Sequence, residues 1–349
     1  MATGFSQAFQ SLLRRDVLSR QQLLLLLSAT GEAARDISQA ARELTLEIHG
    51  RGVYVRGLLE ITNRCSNDCY YCGIRASNAG LTRYALSPDD IVASCSEAYS
   101  LGFRTFVLQG GEWPALDLLV AEAVRRISAL MPDAAVTLSL GERDDQAYSL
   151  WRDAGASRYL LRHETASPSH YAALHPASMS LSRRISCLHS LRRLGYQVGA
   201  GMMIGSPHQT LSDLAADLLF IQDFRPEMVG IGPFIPHADT PFSGFQAGSV
   251  ELTLLAISIV RLLLPHANIP ATTALATLMP DGRQKGILAG ANVVMPNISP
   301  LSARNLYNLY DGKAVLGAEA VEGISLLSDG LARIDRHVDF SRGDYCGSP

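Results

Sequence analysis

Of 349 residues, 47% are hydrophobic and 18% charged, a balance that supports a large core and excludes a disordered polymer. The net charge of −3 comes without a basic run, which excludes a phosphate backbone or an anionic membrane as an expected partner. The apolar run Leu23–Leu27 is too short to span a bilayer and reads as the buried stripe of a helix. No secretory signal pattern opens the chain, so its six cysteines are expected in a reducing cytoplasm and not in disulfides.

Residues 1–50 carry helical periodicity and form an expected N-terminal helical extension, with Asp16, Ser19 and Ser38 as candidate N-caps. A repeated rhythm of short apolar run, turn and amphipathic segment follows. The expected strands are Leu58–Thr62, Thr105–Leu108, Val136–Leu140, Tyr159–Leu161, Val198–Ile204, Met228–Ile231, Pro270–Thr273 and Val293–Met295. Helical stretches separate them, among them Pro88–Ser100 behind a Ser87 cap, Leu116–Leu130, Gln146–Ala154, Leu181–Leu194, Thr210–Asp223 and Leu252–Leu264. Eight strands alternating with helices predict an α/β fold, a (β/α)8 TIM-type barrel over 51–303. A C-terminal tail over 304–349 should pack on it, with Ser341–Pro349 expected to be disordered.

Barrel ligands meet the C-terminal strand ends. There the chain places Gln109-Gly110-Gly111-Glu112, Gly141-Glu142-Arg143, Arg162-His163-Glu164-Thr165, Gly205-Ser206-Pro207, Gly232-Pro233-Phe234, Thr272-Thr273 and Pro296-Asn297. Loop composition alone accounts for the glycines and prolines, but not for Glu112, Glu142, Arg162 and Glu164 at equivalent stations.

After the first strand come Cys65, Cys69 and Cys72 within eight positions. Three thiolates at that spacing can wrap one face of an iron-sulfur cluster. With no fourth cysteine nearby, one iron of a 4Fe-4S cluster would stay open to a small molecule. The bland alternative is a zinc site completed by a distant His or Cys. An open iron invites an amino group and a carboxylate, and the methionine moiety of S-adenosyl-L-methionine supplies both. One electron could then release a 5′-deoxyadenosyl radical, the hard chemistry belonging to the cofactor. Gly110 and Gly111 permit close backbone approach, and Glu112 can accept from an ammonium group. Tyr71 could lie beside adenine or pack under the loop.

The spacing Cys-x3-Cys-x2-Cys, the aromatic residue before the third cysteine and the Gly-Gly-Glu resemble the radical S-adenosyl-L-methionine superfamily. Within it the chain resembles the FeFe-hydrogenase maturase HydE family, grouped with biotin synthase and methylornithine synthase. EITNRCSNDCYYCGIR, RYLLRHETA, LGYQVGAGMMIGSPHQT, MVGIGPFIPHADTPF, NIPATTALATLMPDGR, GANVVMPNISP and LYNLYDGK carry the likeness. It implies that Cys65, Cys69 and Cys72 bind the cluster. It also implies Gln109, Glu112, Glu164, Arg184 and Tyr307 around S-adenosyl-L-methionine. Arg158, Arg162, Thr272, Thr273 and Tyr310 should line the substrate side, with Met228 and Met295 walling it.

The implied substrate is a mononuclear iron species bearing carbon monoxide, cyanide and cysteine. HydG-like and HydF-like maturases are the implied partners, and a reductase, flavodoxin or ferredoxin the electron donor, for a monomeric enzyme. A second cluster, held in some relatives by three further cysteines, is not expected, because Asp311–His337 has none. Cys95 and Cys187 are expected as buried fillers, and Cys346 belongs to the tail. The alternatives are a methylornithine-synthase-like mutase, a biotin-synthase-like enzyme, or a non-catalytic iron-sulfur or zinc module.

Overall fold

A computed structural model describes residues 2–313 and 320–347. Six strands form one parallel sheet in chain order: β2 (Gly57–Thr62), β3 (Thr105–Gly110), β4 (Ala135–Ser139), β5 (Ala156–Leu160), β6 (Gln197–Ile204) and β7 (Met228–Pro233). Each reads as an apolar run because helices cover one face and the interior the other. A second sheet places β1 (Gly52–Val55) between β8 (Val293–Val294) and β9 (His337–Asp339).

The six strands curl into a TIM-type half barrel. Isolated parallel bridges carry the ring onward through Met228 and Asn268, Pro270 and Val293, and Asn297 and Leu58. The seventh and eighth expected strands are therefore a bridge segment and a two-residue strand. Pro270 and Pro296 explain this, since each removes a ladder donor. Thr273, expected in the seventh strand, instead opens a helix.

The helices are α1 (Ala2–Leu13), α2 (Arg20–Leu27), α3 (Gly31–His49), α4 (Pro88–Ser100), α5 (Asp117–Leu130), α6 (Asp145–Asp153), α7 (Pro168–Leu174) and α8 (Leu181–Arg193). Then come α9 (Leu211–Phe224), α10 (Val250–Leu263), α11 (Thr273–Leu278), α12 (Gly282–Leu288), α13 (Leu301–Arg304) and α14 (Ala320–Ala332). Ser19 and Ser87 each complete a capping box. Asp16 instead accepts from Arg14, and Ser38 lies inside α3.

The N-terminal helices pack on the barrel's outer layer, α2 on α9 and α3 on α10. Arg261, fully buried on α10, fastens this side by donating to the carbonyls of Gly290 (2.7 Å), Pro265 (2.7 Å) and Ala267 (2.8 Å). Among the described residues no helix is long and apolar enough to cross a membrane.

The tail departs from expectation. Residues 341–347 are placed against the N-terminal end of the barrel, while Ser348 and Pro349 lie outside the described residues. Arg56 donates to Gly343 O (3.2 Å), Asn268 donates to the same carbonyl (3.2 Å), and Arg158 donates to Arg342 O (3.0 Å) and to the Asp344 carboxylate (2.5 Å).

Candidate cluster and cofactor site

The loop after β2 is held by arginines. Arg83 donates to the carbonyls of Asn63 (2.5 Å), Ile74 (2.8 Å), Arg75 (2.5 Å) and Asn78 (3.1 Å), gathering the segment around one guanidinium. Arg75 grips Asp68 with two donors at 2.7 and 2.6 Å, a fork geometry that holds the Asp68 carboxyl well below its usual range. Cys65, Cys69 and Cys72 project from this loop as free, half-buried thiols.

Two glycines let the neighbouring loops close on it. Gly111 donates to Thr62 O at 3.1 Å, and a Cβ there would overlap the backbone of Arg64. A Cβ at Gly73 would overlap Asn308 O and the His237 ring. The Gly-Gly-Glu turn and the strap at residues 304–313 thus meet the cysteine loop from two sides.

Glu112 turns its carboxylate onto the next station, accepting from the Glu142 N–H at 2.6 Å. This needs the left-handed Gly141 (φ +80°), where any Cβ would strike the Glu112 side chain. Glu142 lies 2.8 Å from Arg184 Nε. Burial raises the pKa of the Glu142 carboxyl; Arg184 opposes the rise and Glu112 adds to it. Burial weighs against the Arg184 charge too, but Glu142, Tyr171, Tyr71 and Glu112 together hold it firmly protonated. Across the mouth, Arg162 Nη2 lies 2.9 Å from Glu164 Oε2, and Glu164 occupies the left-handed region at φ +66°.

The thiols sit in this field. Burial pushes the Cys69 thiol up to about 12, with Arg184 opposing and Cys65 adding. Burial raises the Cys72 thiol far above its usual value, with Cys69 and Cys65 adding. Each thiol raises its neighbours' pKa, so three thiolates here would need a positive partner, which a 4Fe-4S cluster would supply. Among the described residues no three His, Cys, Asp or Glu are grouped as a single metal ion would take them. The cofactor side fits as well. Glu142 Oε1, Glu164 Oε2, Arg184 Nε and Tyr171 OH are buried without hydrogen-bond partners in the protein, although the carboxylate and guanidinium atoms lie at ion-pair distance.

The remaining expected residues divide between the two ends of the barrel. Gln109 donates to the Tyr307 hydroxyl at 3.3 Å. Thr272 Oγ1 is buried without a hydrogen-bond partner and faces Gly232, while the Arg162 stem lies over Gly230. Tyr310 is half-buried, its hydroxyl pKa pushed up to about 12 by burial, and Met295 is half-buried. Tyr71 sets its edge on His175, with its hydroxyl 3.2 Å from Nε2, so it packs within the loop's support. Thr273 accepts from Thr277 within α11.

Arg158 and Met228, expected on the substrate side, lie at the opposite end. Arg158 is engaged with Thr105 and the tail, and Met228 Sδ is 3.3 Å from Arg56 Nη1. Glu142, a charged rim station in the sequence, takes its place in the site only through Arg184 and Glu112. The sequence reading missed the ion pair of buried Glu60 with Lys313, which joins the strap to β2. Met179, whose sulfur is 3.8 Å from Cys69 Sγ, carried no sequence signal.

A Radical SAM superfamily model matches residues 59–221. The FeFe hydrogenase maturase subunit HydE of Thermotoga maritima is 46% identical over 274 residues, covering 78% of both chains. The 3-methylornithine synthase of Methanosarcina barkeri is 26% identical over 77% of this chain and 76% of its own. In fold, the crystal structure of methylornithine synthase (PylB) superposes with TM-score 0.83 at 24% identity, covering 95% of this chain and 97% of that one. HydG from Carboxydothermus hydrogenoformans gives 0.80 at 19% identity, over 96% of this chain and 79% of that one. Three thiols facing paired carboxylates and arginines, on a chain so close to one relative, lead to one conclusion: it belongs to the FeFe-hydrogenase maturase HydE family of radical S-adenosyl-L-methionine enzymes, which implies a 4Fe-4S cluster and S-adenosyl-L-methionine as cofactors.

Proposed function

We propose that this protein matures FeFe hydrogenase by acting on an iron-carbonyl-cyanide-cysteine precursor of the diiron subcluster. The observation that carries the reading is the meeting of Cys65, Cys69 and Cys72 with Glu112, Glu164 and Arg184 at one mouth. Cys65, Cys69 and Cys72 hold the cluster, which with bound S-adenosyl-L-methionine supplies a 5′-deoxyadenosyl radical on one-electron reduction. Glu112, Glu142, Glu164 and Arg184 receive the charged methionine and ribose groups, while Gln109 and Tyr307 close the floor of that pocket. Arg162 and Thr272 offer donors to an anionic substrate in the interior, near Thr273, Tyr310 and Met295.

One cluster is proposed, because the segment Asp311–His337 carries no cysteine. A cytoplasmic monomer suits three half-buried free thiols and an oxygen-sensitive centre. A flavodoxin, ferredoxin or reductase supplies the electron, and HydG-like and HydF-like maturases provide the precursor and accept the product. The test is maturation in a host lacking its own HydE. Expression of this chain should restore hydrogenase activity, and a Cys72→Ala chain should not. Failure of the unaltered chain, with S-adenosyl-L-methionine still cleaved in vitro, would overturn the substrate reading while sparing the enzyme class.

A further inference from the structure

Beneath the rim residues Arg162 and Glu164 lies a polar pair the reaction does not touch. His163 and Asp217 are both fully buried, His163 three residues past β5 and Asp217 on α9. His163 Nε2 is 3.3 Å from Asp217 Oδ1. The same Asp217 oxygen accepts from the Ala166 N–H, while Asp217 Oδ2 and His163 Nε2 make no hydrogen bond, so the histidine meets the carboxylate at ion-pair distance. Burial raises the pKa of this carboxyl, with His163 opposing. Apolar residues would fill such a space at lower cost, so the pair's value must lie in what it orients.

Its other nitrogen shows what that is. Gly201 N–H donates to His163 Nδ1 at 3.2 Å, so Nδ1 carries no proton and Nε2 carries the one facing Asp217. Gly201 also receives the Glu164 N–H on its carbonyl at 3.0 Å, and Met203 N–H donates to Glu164 O at 3.3 Å. One strand glycine and one helix aspartate therefore hold residues 163, 164 and 166 together. Between them Glu164 keeps φ +66°, a region that a residue with a Cβ enters only when its surroundings impose it.

We propose that His163 and Asp217 are positioning residues for Glu164: Asp217 holds the His163 tautomer that accepts from Gly201, and this frame keeps Glu164 aimed at the mouth and sets the affinity for S-adenosyl-L-methionine. The inference rests on the reading of Glu164 as a cofactor contact.

The test is calorimetric titration of S-adenosyl-L-methionine into reconstituted holoenzyme, alongside iron content and cleavage kinetics. Asp217→Ala and His163→Leu each remove one acceptor from the frame. Each should weaken binding about tenfold, the scale of one buried hydrogen bond, raising KM more than it lowers kcat at undiminished iron content. Asp217→Asn keeps the oxygen that serves His163 and Ala166, and His163→Gln keeps one donor and one acceptor. Both should bind within about threefold of the unaltered enzyme if a single hydrogen bond sets the scale. Should Asp217→Ala fail to hold its cluster, His163→Leu decides. Unchanged affinity in Asp217→Ala and His163→Leu, with weakened binding in Glu164→Ala, overturns the positioning role and leaves the cofactor reading intact. Unchanged affinity in Glu164→Ala overturns the cofactor reading and the frame with it. Equal losses in the conservative and the disruptive variants mark the pair as packing only.

Discussion

The two ends of the barrel each bury arginines, and they resolve the charge in different ways. At the N-terminal end, Arg56 and Arg158 donate to the chain itself, through the carbonyls of Arg342 and Gly343 and the carboxylate of Asp344, each leaving only its buried Nε without a partner. Burial lowers the pKa of the Arg56 guanidinium to about 9, with Arg158 adding and Asp344 opposing. At the C-terminal end, Arg162 and Arg184 lie 2.9 and 2.8 Å from carboxylate oxygens of Glu164 and Glu142 that have no hydrogen-bond partner in the protein. A charge satisfied by backbone carbonyls fastens a structure. A charge held at ion-pair distance beside unsatisfied acceptors can receive a ligand.

The largest test of this contrast is Cys72→Ala, which should reduce both bound iron and 5′-deoxyadenosine release to background while leaving the fold intact. Retained cleavage would detach the rim from the chemistry. Next is Arg184→Met, which leaves half-buried Glu142 with only the more distant and more exposed Arg183, at 3.9 Å, as a cationic partner. A loss of about 3 to 5 kcal/mol in urea unfolding is expected, together with loss of S-adenosyl-L-methionine binding. Adding Glu142→Leu should recover part of the stability and none of the binding.

Arg158→Met at the other end should cost less, about 1 kcal/mol for lost hydrogen bonds, because Arg342 O keeps the Thr105 hydroxyl as donor and the Asp344 it releases is already 48% exposed. Binding of S-adenosyl-L-methionine should be unchanged; a loss comparable to that of Arg184→Met would erase the distinction between the ends.

A pH series on the metal-free chain separates them further. Burial opposes ionisation of Asp344, yet Arg158 and Arg342 prevail and lower its carboxyl pKa. A depressed folded pKa stabilises above the unfolded value, about 4, and that stability is lost as pH falls through the folded one. Glu142 is shifted upward, so its cost is present at neutral pH and relieved as pH falls through its folded value toward about 4. Asp344→Asn should flatten the acid limb below about pH 4, and Glu142→Gln the gain above it. The smallest effect is expected for Cys346→Ser, exposed in the tail, whose melting point and iron content should match the unaltered chain.

Much of the site was legible in the sequence because its chemistry is local. Three cysteines within eight positions and a Gly-Gly-Glu after a strand need no tertiary knowledge to be read. Arg158 and Arg162 mark where that reading fails. The resemblance alone places both on the substrate side. Yet four residues of extended chain set them about 13 Å apart along the strand, toward opposite ends of the barrel. The resemblance places Met228 beside them, but Met228 is the first residue of β7 and not the last.

Glu142 was visible as a charged rim residue, but its pairing depends on Arg184, which arrives from α8. The tail offered no strong periodicity, and its order comes from arginines more than 180 positions away. Composition, strand rhythm and thiol spacing determined the fold class and the kind of chemistry, since both are encoded in neighbouring residues. Which charges face a ligand and which only close the barrel was decided by tertiary structure, because the distance between strand ends and the return of the tail exist only once the sheet has curled.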